Sequence, residues 1–207
     1  MRPLPRVHAI TDPSVLALDD LGIRAAAIAA AGPSVALHAR DRRAGGARLA
    51  AVAARLVSLA WPPEASVIVA GRADVACAVG AQGVQLAAGD LAPADAREVL
   101  PLGWIGRSVH SADDAARAAD EGADYVLAGN VFETASHPGR PAAGLGLITA
   151  AARTGLPVIA IGGITAANAA AARDAGAWGV AAIRALWHVG DSAAATLALL
   201  EPWLEEA

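Results

Sequence analysis

The chain is poor in sulfur and in most aromatic types: 207 residues include one cysteine, one methionine, one phenylalanine and one tyrosine. The single cysteine, Cys77, cannot close an internal disulfide, so a reducing cytoplasm is the expected location. Its default role is that of a small buried hydrophobe. Charge is also scarce, at 17% of residues with a formal balance of -4. Nothing in that balance builds the basic, aromatic-laced patch that grips nucleic acid. No apolar run approaches the ~20 residues that cross a bilayer, and "MRPLPRVHAITD" lacks the long apolar stretch of an export signal. Neither nucleic acid nor membrane is therefore expected as a partner.

What the chain does have is alanine, which carries much of the 56% hydrophobic content. Alanine is small and favours helix, so the composition signals close helix packing. A chain of this length buries a core as one domain, residues 1–207, without disulfide or structural metal. Short apolar or β-branched runs alternate with alanine-rich amphipathic stretches. The strand candidates are "VHAITD", "SVALHAR", "SVIVAG", "GVQLA", "WIGRSVH", "YVLAGNV", "PVIAIGG" and "GVAAIRA". The helix candidates between them cover residues 15–31, 45–59, 74–80, 92–100, 112–121, 144–154, 166–175 and 192–205. Ser111 is placed to cap one helix, and Gly122 and Gly176 to end two others. Eight strand-then-helix repeats predict a (β/α)8 TIM barrel, with a doubly wound open sheet as the alternative. In a barrel the active site lies at the C-terminal strand ends.

Two stretches stand out at those ends. "PVIAIGGITAANAAAARDAGA" closes a buried strand with Gly162-Gly163 and reaches Thr165 at a helix start. Backbone amides there can approach an anion that the helix dipole favours. "GVAAIRAL" brings Arg184 to the end of the neighbouring strand, either to clamp a phosphate or to fill its pocket with its own stem. "YVLAGNVFETASHPGR" begins as a strand and turns polar at Asn130, with Glu133, Thr134, Ser136 and His137 following. Elsewhere, Asp12 ends the first strand and could orient a neighbour or ligand. Arg72 and Asp74 read as an intramolecular pair or as helix-start charges. "RDRRAGGAR" reads as a loop at the mouth that attracts anions.

Taken in order, "HAITD", "GRADVA", "GVQL", "IGRSVHS", "GADYVLAGNVFET" and "PVIAIGGIT" resemble the thiamine phosphate synthase/TenI family over nearly the whole chain. The resemblance implies a (β/α)8 barrel serving thiamine biosynthesis. Synthases of this family join a pyrimidine diphosphate to a thiazole phosphate, using magnesium and basic residues around the departing pyrophosphate. Their second-strand Gln-x-Arg-x-Lys pattern reads Ala36, His38 and Arg40 here, and their third-strand Asn-Asp pair reads Ala70-Gly71. Asp90 matches the other magnesium aspartate, and the family lysine after the sixth strand falls at His137. Loss of a hard-cation carboxylate weakens the synthase reading.

The wording is nearer to the tautomerase branch, whose members aromatise a carboxythiazole phosphate by moving a proton without a metal. That branch implies no cofactor; magnesium enters only with the synthase alternative. Its proton-handling histidine is Asn130 here, and an amide cannot cycle a proton near neutral pH. His38 and His110 are the candidate substitutes, whereas His8 is expected to pack in the core and His188 to lie beyond the eighth strand. Arg40, Ser108, Thr134, Ser136 and His137 are candidate substrate contacts, with Gly162, Gly163 and Arg184 at the phosphate. The expected ligand is a phosphorylated thiazole. A homodimer is compatible with the resemblance, and Trp178 and Trp187 are its candidate contacts. Outside these two enzymes stands a third class, a non-catalytic binder of a phosphorylated metabolite.

Overall fold

Parallel strands covered by helices on one side and by barrel filling on the other are apolar throughout, and each such run in this chain is a strand. They are β1 (Val7–Ile10), β2 (Val35–Ala39), β3 (Ser66–Ala70), β4 (Gly83–Leu86), β5 (Trp104–Val109), β6 (Tyr125–Ala128), β7 (Val158–Ile161) and β8 (Gly179–Ala182). The computed structural model describes residues 3–61, 64–134 and 141–204. The strands close into a barrel in chain order, all parallel. β8 returns to β1 with Val180 opposite Val7, so the sheet has no edge and the open, doubly wound arrangement does not apply.

The helices are α1 (Pro13–Leu16), α2 (Leu21–Ala29), α3 (Gly46–Ala60), α4 (Ala73–Val79), α5 (Pro93–Val99), α6 (Ala112–Asp120), α7 (Leu145–Ala152), α8 (Ala166–Asp174), α9 (Arg184–Trp187) and α10 (Ser192–Leu200). The stretch expected to run as one helix over 15–31 is broken into α1 and α2. A continuous helix would bury Asp19 and Asp20 in its interior, whereas the break sets Asp20 at the favourable N-terminal end of α2. Asp12 is used locally: its Oδ1 accepts from the amides of Ser14 and Val15 at 2.9 and 3.0 Å and so caps α1. It is a cap rather than a ligand-orienting group. The last strand candidate also shortens, and Arg184 opens the short helix α9 instead of ending β8. Ser111 caps α6 as expected, accepting from the Asp114 amide at 3.1 Å. Gly122 and Gly176 follow their helices with φ of 81° and 104°.

Packing falls into two layers. Inside the barrel lie Ile10, Ala36, Ile68, Trp104, Leu127 and Ile159. Between strands and helices lies a larger layer that includes Val7, Ile28, Leu37, Leu56, Ile148 and Leu199. Each fully buried aliphatic side chain contributes roughly 1.5–3 kcal/mol, so the outer layer carries most of the stability. Strand alternation sends Ala36 inward and Leu37 outward, and thereby turns His38 inward as well.

Three expectations about single residues change. Cys77 is exposed, although it lies four residues after buried Ala73, near the C-terminal end of the short helix α4. Trp187 is wholly buried and has no surface to offer a partner. Trp178 closes the N-terminal end of the barrel: its Nε1 donates to the Leu4 carbonyl at 3.0 Å, and the Arg6 guanidinium lies 3.6 Å from the ring centroid. Arg72 and Asp74 form the expected ion pair, at 2.5 Å. No helix among the described residues is long and apolar enough to cross a membrane.

Candidate active site

At the C-terminal end of the strands a cavity of about 880 Å3 opens. Its wall gathers Gly162, Gly163 and Arg184 from β7 and β8, Asn130 and Thr134 from the β6 loop, His38 and Arg40 from β2, Asp90 after β4, and Ser108 and His110 from β5. Apart from Asp12, which caps α1, every described residue singled out from the sequence as a site candidate is in this one wall. Ser136 and His137 lie outside the described residues.

The anion end is built by two tethered loops. The amides of Val131 and Phe132 donate to the carbonyls of Ile161 and Gly162 at 2.8 and 3.0 Å, which binds the loop after β6 to the loop after β7. The approach is so close that a Cβ on Gly162 would come within 2.5 Å of the Asn130 Cβ, and one on Gly163 within 2.4 Å of the Glu133 carbonyl oxygen. Both glycines also hold positive φ, 101° and 65°, where side chains are strained. Beyond them Thr165 and Asn168 form a reciprocal cap, the Asn168 Oδ1 accepting from the Thr165 amide at 2.9 Å. Those two amides are thus occupied by the protein. The amides of Gly162, Gly163 and Ile164 meet no acceptor among the described residues, and they precede a helix whose dipole favours negative charge.

Asn130 faces this end. It is 9% exposed, and its Nδ2 is buried without any hydrogen-bond partner. An orphaned buried donor costs about 1–3 kcal/mol. Arg184 is exposed at the rim rather than packed into the cavity, so it does not plug the phosphate end.

The two histidines proposed as substitutes for a proton carrier differ sharply. His38 is 1% exposed, and burial holds its pKa well below the ordinary value, with His8 and Arg40 pushing in the same direction. A ring that resists protonation this strongly accepts hydrogen bonds but does not hold a proton in reserve. His110 is exposed at the cavity rim. Its main-chain amide donates to Asp114 Oδ2 at 3.0 Å and its Nδ1 pairs with the Gly129 carbonyl. A carbonyl only accepts, so Nδ1 carries the proton and Nε2 is the free ring nitrogen, on the residue next to Asn130's own loop.

Arg40 is anchored through its amide, which donates to Thr11 Oγ1 at 2.9 Å. Burial lowers its pKa, and Arg42 adds to the effect. Ser108 accepts from Gln85 Nε2 at 3.1 Å. Gln85 itself was not singled out from the sequence; it lines the cavity and its buried Oε1 has no partner. The signal was present, since a glutamine inside the otherwise apolar strand "GVQL" is a polar group facing inward. Asp90 is exposed, and its Oδ2 accepts from the Ala87 amide at 2.7 Å. Across from it sits Gly71, where a Cβ would meet Asp90 Oδ2 at 3.2 Å. The described residues hold no group of three His, Cys, Asp or Glu able to grip a metal ion, and one carboxylate facing a glycine does not fit a two-aspartate magnesium site. The chain contains no lysine, so every side-chain cation is a guanidinium or an imidazolium.

Residues 7–186 match the family described as thiamine monophosphate synthase, TMP-TENI. The thiamine-phosphate synthase of Methanoculleus marisnigri is 45% identical over 179 residues, covering 84% of each chain. That of Salinispora tropica is 39% identical over 212 residues, covering 97% of this chain and 98% of its own. Among solved structures, the thiamine phosphate pyrophosphorylase from Pyrococcus furiosus superposes with a TM-score of 0.83 at 32% identity, covering 99% of this chain and 98% of that one.

Proposed function

The chain belongs to the thiamine monophosphate synthase/TenI family, and from that premise we propose that its cavity binds a thiazole phosphate for thiamine biosynthesis. One observation carries the reading: three amides at the head of α8 that meet no acceptor among the described residues line the cavity beside Asn130, whose Nδ2 has no partner. The amides and helix dipole take the phosphoryl group, and Asn130 donates to an acceptor on the ligand. Arg184 after β8 and Arg40 after β2 add positive charge at the mouth on either side of β1.

Two reactions are compatible with that ligand. The names of the relatives support condensation with a pyrimidine diphosphate, releasing pyrophosphate. Against it stand Ala36, Ala70 and Gly71, which leave the magnesium and diphosphate groups without their side chains. The second reading is tautomerisation of a carboxythiazole phosphate, favoured by a specific feature of the site. His110 presents a free Nε2 beside the Asn130 loop, where it can take and return a proton while Asn130 and the amides hold the substrate still.

Calorimetric titration with thiazole phosphate tests the shared step, and the absence of binding at millimolar ligand would refute the reading. Pyrophosphate release in the presence of the pyrimidine diphosphate and magnesium identifies the synthase. Aromatisation of the carboxythiazole phosphate, followed by NMR, identifies the tautomerase. Binding with neither reaction identifies a non-catalytic binder. Asn130→His is expected to create or raise tautomerase activity by at least about tenfold, in the range that a positioned acid/base supplies.

A further inference from the structure

The barrel interior holds a polar pair that the anion end does not use. His8 on β1 and His38 on β2 are 0% and 1% exposed, and Nδ1 of His8 lies 2.8 Å from Nε2 of His38. The other nitrogen of His8, Nε2, lies 3.1 Å from the Pro5 carbonyl oxygen. That oxygen only accepts, so His8 carries a proton on Nε2. Burial lowers the His8 pKa to about 4 and holds that of His38 well below its ordinary value. Both rings are therefore neutral at pH 7, with one N–H each. Nδ1 of His8 is then a lone pair, and the proton between the rings belongs to Nε2 of His38. Nδ1 of His38 is left bare, and no donor among the described residues meets it. Around the pair, the other charged or titratable groups are Arg40, two residues along β2, and Tyr125 on β6, 5.8 Å from His8 between ring centroids. The facing part of β3 supplies Ile68 and Ala70.

We propose that His8 is a positioning residue: by handing its own proton to Pro5 it fixes His38 as the Nε2-protonated tautomer, so the β2 wall of the cavity offers a neutral acceptor to an N–H or O–H donor on the ligand. A bare ring nitrogen of His38 complements an uncharged ring bearing an N–H donor and repels an anionic group. The inference rests on the cavity being the ligand site and names the chemistry of the ligand's far end.

Long-range proton–nitrogen spectra of the full-length, nitrogen-15-labelled protein read the tautomer directly, and the five histidines can be assigned by substitution. The expected result is His38 protonated at Nε2 alone. His8→Phe is expected to populate both His38 tautomers, and His8→Asn, whose Oδ1 stands where Nδ1 was, to restore one. A wild-type His38 protonated at Nδ1, or a tautomer unchanged in His8→Phe, overturns the proposal. Should His8→Phe not fold, the wild-type spectrum still decides. For the ligand half, thiazole phosphate and a neutral aminopyrimidine are titrated separately while the Nδ1 resonance of His38 is followed. Movement with the aminopyrimidine supports the acceptor role, and its absence overturns it. If only the aminopyrimidine moves it, and thiazole phosphate does not bind, the functional reading fails and this one stands. His8→Phe is expected to weaken the aminopyrimidine about tenfold and leave inorganic phosphate binding unchanged.

Discussion

Replacing Gly162 by alanine tests the geometry of the anion end through stability. Two costs are superposed at this position. The backbone has φ of 101°, a conformation that costs a side-chain-bearing residue roughly 1–2 kcal/mol. The added Cβ would also lie 2.5 Å from the Asn130 Cβ and 2.6 Å from its Cα, an overlap that adds about 1–3 kcal/mol. Gly176 separates the two, since its φ is 104° and its added Cβ would meet only the Ala152 Cβ, at 3.3 Å. Gly176→Ala therefore carries the backbone cost, and Gly162→Ala carries both. With a urea slope of about 2–3 kcal/mol per molar for a domain of this size, the Gly162 variant should unfold about 0.5–1 M earlier than the Gly176 variant. Because the overlap falls on Asn130, thiazole phosphate binding should be lost in Gly162→Ala below the unfolding transition and kept in Gly176→Ala. Equal midpoints for the two variants, within about 0.2 M, would refute the claim that the β6 and β7 loops are in backbone contact.

Acidification should destabilise the protein before its carboxylates titrate. His8 is neutral when folded down to about pH 4 and protonated when unfolded below about 6.5, so the unfolded state binds the extra proton in that window and stability falls as pH drops through it. The gap corresponds to roughly 3 kcal/mol, and His38 shifts in the same direction; urea midpoints from pH 7 to 4 should fall less in His8→Asn than in the wild type. Asp12, Asp74 and Asp114 are held below their usual values, so their contributions are lost only at more acid pH. Asp124 is a second stability test: its Oδ2 accepts from the Ile105 amide at 2.7 Å and from Arg97 at 2.5 Å. Asp124→Ala should cost about 1–3 kcal/mol in thermal or urea unfolding, and Asp124→Asn, which keeps one acceptor, less; equal losses would show that the acceptor geometry does not matter.

Much of the fold was legible because buried parallel strands announce themselves. "SVIVA" and "PVIAI" are apolar on both faces, and the alanine-rich segments between strands repeat with helical spacing. The helix expected over 15–31 divides at Asp20, the N-cap of α2, with Gly22 in the first turn behind it. Cys77 was not placed by spacing, since it lies four residues after buried Ala73 and yet is exposed near the end of α4. Gly162, Gly163 and Asn130 could be picked out individually from the sequence. Gln85 was passed over because one glutamine in a strand looks the same whether its carboxamide is satisfied or orphaned.

Local order along the chain determined the strands and the helices, since hydrophobic periodicity and helix capping act between neighbours a few residues apart. Only tertiary structure decided that β8 closes on β1, that Asn130 lies against Gly162, and which nitrogen of His38 is bare. Each of these depends on groups far apart in sequence meeting within about 3 Å, because hydrogen bonding and steric exclusion act over that range alone.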